Sequence, residues 1–194
     1  MTSRSIRRLG AGLAAVAALA LAAAPAGAGQ LKGVFRVSAG SYFRMIYPAG
    51  AKSTYFANPY SSDADKTYTL VSAGTDGGLR TGALQPPPSP AFDAKGNSLA
   101  GRIIRPTNFT GISLGLVTVG TAPSISVSAG RLSGQLTGFT AEWNKLSFKQ
   151  GSSDVSGTYN AKTHAYVLTW KSVISGGPFN GFTGSWHLQG KFVS

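Results

Sequence analysis

From Phe182 to Val193 the chain reads FTGSWHLQGKFV, and every second position holds a large apolar residue or a glycine. Phe182, Trp186, Leu188 and Phe192 share one side of this alternation with Gly184 and Gly190. Thr183, Ser185, His187, Gln189 and Lys191 occupy the other. Successive side chains of a strand point to opposite faces, whereas a helix would scatter these residues around its axis. The segment is therefore expected to be a strand with one face on a core. Burying its large side chains stabilises by roughly 2 kcal/mol each. The two glycines on the apolar face leave room for rings from a neighbouring strand, or mark bends. Tyr166, Leu168 and Trp170 alternate in the same way against Thr169 and Lys171, and the turn-rich link GGPFNG (176–181) follows. The two segments are expected to pair across that link.

Period-two patterning recurs in shorter pieces, over 33–37, 42–47, 67–71, 102–104, 111–119, 125–127, 131–139 and 146–148. Few stretches after residue 30 keep the spacing of an amphipathic helix. With 26 glycines, 10 prolines and only 12% charged residues, the chain is poorly suited to long solvated helices. Turn chemistry fills the gaps: AGTDGGLRTG at 73–82, a turn on Lys95-Gly96-Asn97 within 92–100, and a hairpin tip at 159–166. QPPPSP at 85–90 lacks amide donors, so it reads as an extended connector outside any sheet. No fixed repeat period is visible, which argues against a propeller or solenoid. The expected fold is all-β: one antiparallel β-sandwich or β-barrel with long irregular loops, spanning 29–194.

Residues 1–28 carry Arg4, Arg7 and Arg8, then an apolar run from Leu9 to Ala24, then Ala26-Gly27-Ala28. That order matches a cleaved export signal, and the run is short for a membrane span of about 20 residues. The Arg7-Arg8 pair leaves the export route open. The chain contains no cysteine, so disulfides, thiolate nucleophiles and a lipid-modified cysteine are excluded. No later segment is apolar enough to span a bilayer. The expected location is outside the cell, free or held non-covalently to the wall.

Basic residues number 18 and acidic ones six, and the leader removes only three arginines from that excess. A positive field of this kind favours anionic partners such as wall polymers, acidic polysaccharides or nucleic acid. The cations are scattered singly, which equally suits a solvated surface, and they form no nucleic-acid signature.

Catalytic groups are scarce. His164 and His187 are the only imidazoles and form no zinc-binding spacing. Glu142 is the only glutamate, and pairing it with Asp154 or Asp93 into a glycosidase site has no support in spacing. Asp63-x-Asp65 lacks the later glycine and closing acid of a calcium loop. No metal or cofactor is expected. Binding residues are easier to nominate. SYFRMIYPAGAKSTYFANPY (41–60) interleaves Tyr42 and Tyr55 with Arg44, a mixture that suits sugar faces, apolar ligands or single-stranded nucleic acid. His187 on the polar side of its strand, and Trp143 beside Glu142, complete the candidate set.

TYTLVSAGTDGGLRTG, QPPPSPAFDAKGN and TWKSVISGGPFNGFTGSWHLQGKF together resemble a group of small exported proteins of high-GC Gram-positive bacteria. The resemblance covers most of the chain after residue 35 and implies export and one β-rich domain. Those proteins have no assigned activity, so it implies no catalytic residues. GTYNAKTHAYVL is similar to avidin-type barrels over too short a stretch to imply a biotin site.

The functional expectation is a secreted, non-enzymatic binder of an extracellular or envelope ligand, either an anionic polymer or a carbohydrate. Two alternatives stand beside it. One is a small hydrolase or isomerase using His187 or Glu142, and the other is a lipocalin-like carrier of an apolar ligand.

Overall fold

A computed structural model of the protein describes residues 29–53, 68–104, 107–109 and 111–194. The larger sheet starts from β1 (Gly29–Leu31) and β2 (Gly33–Val37), one extended run interrupted only at Lys32. It also contains β3 (Tyr42–Ile46), β4 (Thr69–Leu70) and β5 (Gly78–Thr81). The smaller sheet begins with β6 (Thr107–Phe109) and β7 (Ile112–Thr118). Then β8 (Ser124–Ser128) and β9 (Arg131–Leu136) return to the larger sheet, and β10 (Phe139–Trp143) and β11 (Leu146–Lys149) to the smaller. Three long strands follow: β12 (Ser153–Tyr159), β13 (Ala165–Val173) and β14 (Thr183–Val193). All the pairings are antiparallel.

The larger sheet curls back on itself. β2 pairs with the end of β14, β14 with β13, β13 with β12, β12 with β9, and β9 with β8. β8 then pairs with β1, one residue upstream of β2. The circuit therefore ends on the stretch of chain where it began, and the sheet is a nearly closed barrel. β5 continues the edge that β8 starts. Thr81 Oγ1 donates to the Pro123 carbonyl (3.1 Å) and accepts from the Ile125 amide (3.3 Å). Closure of this kind leaves little exposed strand edge, which protects a β-protein against edge-to-edge association.

The second layer packs where the barrel widens. β14 is long enough to pair with β2 through Gly190–Val193 and with β3 through Thr183–His187. Around the first half, Phe35, Ile125, Tyr166, Leu168, Leu188 and Phe192 fill the interior. Around the second, Trp170 and Trp186 meet Phe139 of the smaller sheet (β11-β10-β7-β6) edge-on. All the buried apolar residues but Ala100 and Val117 form one continuous cluster through both halves. The sandwich and barrel expectations are thus both met, at opposite ends of β13 and β14.

The alternation read in the sequence holds. Gly184, Trp186, Leu188 and Phe192 are buried, while Ser185, His187 and Lys191 face outward. A Cβ on Gly184 would come within 2.9 Å of Trp186 Nε1 and 3.2 Å of Phe43 Cε2, so this glycine does make room for rings. Tyr166 points inward and donates its hydroxyl to the Arg36 carbonyl (3.1 Å), and burial pushes its pKa up. The connector at 85–90 lies outside every strand, the 92–100 turn closes through Gly96 N and Asp93 O (3.1 Å), and 159–166 is a hairpin tip.

Four expectations are corrected. The run 131–139 is two strands in different sheets. At Gly138 (φ 69°) a Cβ would sit 1.6 Å from the Val119 carbonyl oxygen, and the chain crosses from one layer to the other there. The segment 78–81, read as part of a turn, is a strand that pairs with β2. The segment 102–104 contributes only a single bridge, Ile104 with Ala73. Finally, Ser153–Tyr159, polar and glycine-containing, is a ring strand that the apolar pattern did not announce.

Candidate functional site

The outer face of β12, β13, β14 and β3 carries a polar rung that follows from register. Ser156 lies opposite Thr169, Thr169 opposite His187, and His187 opposite Tyr42. One step along, Lys171 lies opposite Ser185 and Ser185 opposite Arg44. These residues share a face because their neighbours Trp170, Trp186 and Phe43 are drawn into the core.

Rings and hydroxyls give the face its shape. Tyr42 stacks on His187 with centroids 4.8 Å apart and planes 9° from parallel, and its ring also leans on Tyr68 at 5.4 Å. The Arg44 guanidinium carbon lies 6.0 Å from the Tyr68 ring centre, within reach of a cation–π attraction. His187 Nε2 donates to Gln189 Oε1 (3.2 Å), and Gln189 Nε2 donates to the Ala39 carbonyl (2.7 Å). The imidazole is thereby held against the sheet. Thr169 Oγ1 and Ser156 Oγ lie 3.3 Å apart, and Gln135 Nε2 donates to Asp154 Oδ1 (3.1 Å).

Between these side chains runs a trough of about 330 Å³, walled by Tyr42, Asp154, Ser156, Thr169, Lys171, Ser185 and His187. A second depression of about 340 Å³ lies on the other side of Tyr42, against Arg44, Tyr68 and Leu70. Asp154 and His187 both border the trough, but Gln135 holds one and Gln189 the other. They do not form an imidazole–carboxylate pair.

Glu142 and Trp143 belong to a different place. Ala141 faces the space between the sheets, so Glu142 on the same strand faces away from it. It is 3% exposed, and its Oε2 accepts from Ser98 Oγ at 3.4 Å. Gly115, opposite Glu142 in the register, leaves room there, since a Cβ on it would meet Ser98 Oγ at 2.3 Å. Burial raises the Glu142 pKa, and the Ser98 hydrogen bond partly offsets this. Trp143 donates Nε1 to the Ile112 carbonyl (3.2 Å) and borders the inter-sheet core. The structure therefore brings together His187, Tyr42 and Arg44, and separates them from Trp143 by the larger sheet and from Glu142 by both layers. Tyr55, the Asp63–Asp65 pair and the leader 1–28 lie outside the described residues.

His164 sits in the hairpin tip with φ 57°, its Nδ1 3.0 Å from the Tyr159 hydroxyl. Gly111-Ile112-Ser113-Leu114-Gly115 matches the spacing of a hydrolase nucleophile elbow. Ser113 nonetheless lies inside β7, paired with Asn108 and anchored by its amide to Asn97 Oδ1 (2.9 Å). That is extended backbone, not the strand-to-helix turn an elbow requires.

Ser156, Thr169 and Lys171 were not among the candidates in the sequence, Asp154 entered only as a partner for Glu142, and Ser185 only as a polar-face neighbour of His187. Only the cross-strand register unites them, and neither spacing nor composition marks them. No protein-family model matches the sequence, and the comparisons with curated proteins and with solved structures return no significant match to the chain.

Proposed function

We propose that the protein is an exported, non-enzymatic binder whose outer trough takes a segment of carbohydrate. The observation that carries this reading is the polar trough of about 330 Å³ beside the Tyr42–His187 stack. Its size is at the lower end for small-ligand sites, roughly 300–1,000 Å³. Hydroxyl, carboxylate, ammonium and imidazole groups on a rigid sheet supply donors and acceptors for sugar hydroxyls, and the aromatic edge supplies an apolar surface. Export is carried by the leader sequence alone.

The enzymatic alternative draws little support from a site in which His187 and the nearest carboxylate are each bound to a glutamine. The carrier alternative draws little from the core. The apolar space between the sheets is about 20 Å³, close to the room one water needs.

Calorimetric titration with a panel of neutral and acidic envelope oligosaccharides tests the reading. Saturable binding that weakens at least tenfold in Tyr42→Ala and in Thr169→Val, and not in Glu142→Gln, is expected. No binding across the panel, or binding indifferent to Tyr42 and Thr169, would overturn it.

A further inference from the structure

We propose that the barrel carries a second binding surface, a diagonal row of four cations that holds a linear phosphodiester polymer. The row is Lys191 on β14, Arg36 on β2, Arg80 on β5, and Lys32 at the β1–β2 break. It is independent of the carbohydrate reading.

Register sets the row. Lys191 lies directly opposite Arg36, and Arg36 lies opposite Gly78, which places Arg80 on its diagonal. Arg80 lies opposite Val34, so Lys32 is the next diagonal neighbour. All four are exposed, because the alternate residues Phe192, Phe35 and Leu79 are buried in the barrel. Directly opposed side chains start about 5 Å apart and diagonal ones about 7–8 Å. These are spacings of the side-chain bases; the heads diverge, Arg36 toward Gly77 and Lys32 toward Gly82, so the row suits a flexible chain of anionic groups.

Like charges directly opposite each other destabilise a sheet, and Lys191 and Arg36 are such a pair. Among the described residues, none of the four cations makes an ion pair. The other outward positions in register with them, Val34, Gly78 and Ala165, carry no charge. The nearest acid in sequence to this part of β5 is Asp76, which is 3.5 Å from Arg102. Two local features keep the row open. Arg36 Nη1 lies 3.1 Å from where a Cβ on Gly77 would stand, and Lys32 Cγ lies 3.5 Å from the same point at Gly82. Glycine at both positions lets the long side chains lie along the sheet. An anion bridging Lys191 and Arg36 converts their repulsion into attraction, and the planar guanidinium forks suit phosphate oxygens.

Fluorescence anisotropy with end-labelled poly(glycerol phosphate), in a salt series, tests the proposal. The wild type should bind, with affinity falling as salt rises through counterion release. The double variant Arg36→Gln/Lys191→Gln should lose at least tenfold, with its circular dichroism and its binding to oligosaccharides unchanged. Arg131→Gln/Lys149→Gln removes the same charge elsewhere and should lose less than twofold. Three results would each overturn the proposal: no binding at low salt, equal loss in both double variants, or equally tight binding of a polyuronate of matched length.

Discussion

Trp170 stands directly opposite Trp186 in the β13–β14 register, and the two indoles stack with centroids 5.6 Å apart and planes within 7° of parallel. Phe139 meets both rings edge-on, at 5.5 and 5.1 Å. The offset and edge-on geometries are those that aromatic quadrupoles favour. Trp186 also donates Nε1 to Ser172 Oγ (3.2 Å), which donates to Gln150 Oε1 (2.7 Å). One side chain thus ties the barrel sheet to the smaller sheet by packing and by a buried hydrogen-bond relay.

Trp186→Ala is accordingly expected to destabilise by about 3–5 kcal/mol through lost burial and a cavity. Trp186→Phe should keep most of the packing but leave Ser172 without its indole donor, at a cost of about 1–3 kcal/mol. Urea denaturation followed by circular dichroism checks both. A loss below about 1 kcal/mol for the alanine variant would contradict the stack's role in joining the sheets.

Gln85 holds a similar position at the barrel's edge. Its Oε1 accepts from the Arg80 amide (2.8 Å), and its Nε2 donates to the Gly78 carbonyl (2.8 Å) and the Arg102 carbonyl (3.1 Å). Its own amide donates to Thr118 Oγ1 (2.7 Å), and its carbonyl accepts from the Thr118 amide (2.8 Å). The residue is 1% exposed. Gln85→Leu keeps the volume but orphans buried backbone groups, so a loss of about 2–4 kcal/mol is expected. Hydrogen exchange should show the loosening first at Arg80, whose amide loses its acceptor.

The buried Glu142 carboxyl gives stability a pH dependence of definite sign. Burial raises its folded-state pKa above the ordinary 4.5. Between the two values the folded state holds a proton that the unfolded chain has released, so stability falls as pH rises through that window. Glu142→Gln removes the effect. The variant should be more stable than the wild type at neutral pH, and the difference should shrink as pH falls through that window toward 4.5, below which it no longer changes. Asp93 acts in the opposite sense. Asn97 side-chain and backbone donors lower its pKa, so its contribution is present above the ordinary 3.8 and fades as pH falls below it. Thermal melts from pH 3 to 8 separate the two, and a pH-independent gap between Glu142→Gln and wild type would contradict this account.

How far the fold could be read from the residues depended on which faces are apolar. Trp186, Leu188 and Phe192 alternate with polar residues, so β14 and its pairing with β13 were legible. β12 carries Val155 alone as a buried aliphatic, with Gly157 and serines around it, and its place in the ring comes from its neighbours. The turn Asn144-Lys145, with φ of 51° and 61°, lacks the glycine that usually announces a two-residue hairpin. The site was legible only in part for a related reason. Tyr42, Arg44 and His187 stand out by residue type, but Ser156, Thr169 and Ser185 are ordinary until strands distant in sequence are laid side by side.

The Tyr42–His187 stack should matter more for binding than for folding. Both residues are half-buried on the outer face, and their contact adds about 0.5–1.5 kcal/mol beyond area burial. His187→Ala is expected to cost no more than about 1.5 kcal/mol in stability, well below the loss for Trp186→Ala one position earlier. It should also free Gln189 Oε1 and lower the trough's affinity for oligosaccharide by about tenfold or more, since ring and polar edge leave together. A double-mutant cycle with Tyr42→Ala then isolates the pair, and a coupling of about 0.5–1.5 kcal/mol is expected in stability. A stability loss as large as that of Trp186→Ala would mean the imidazole acts as core and not as part of an outward-facing site.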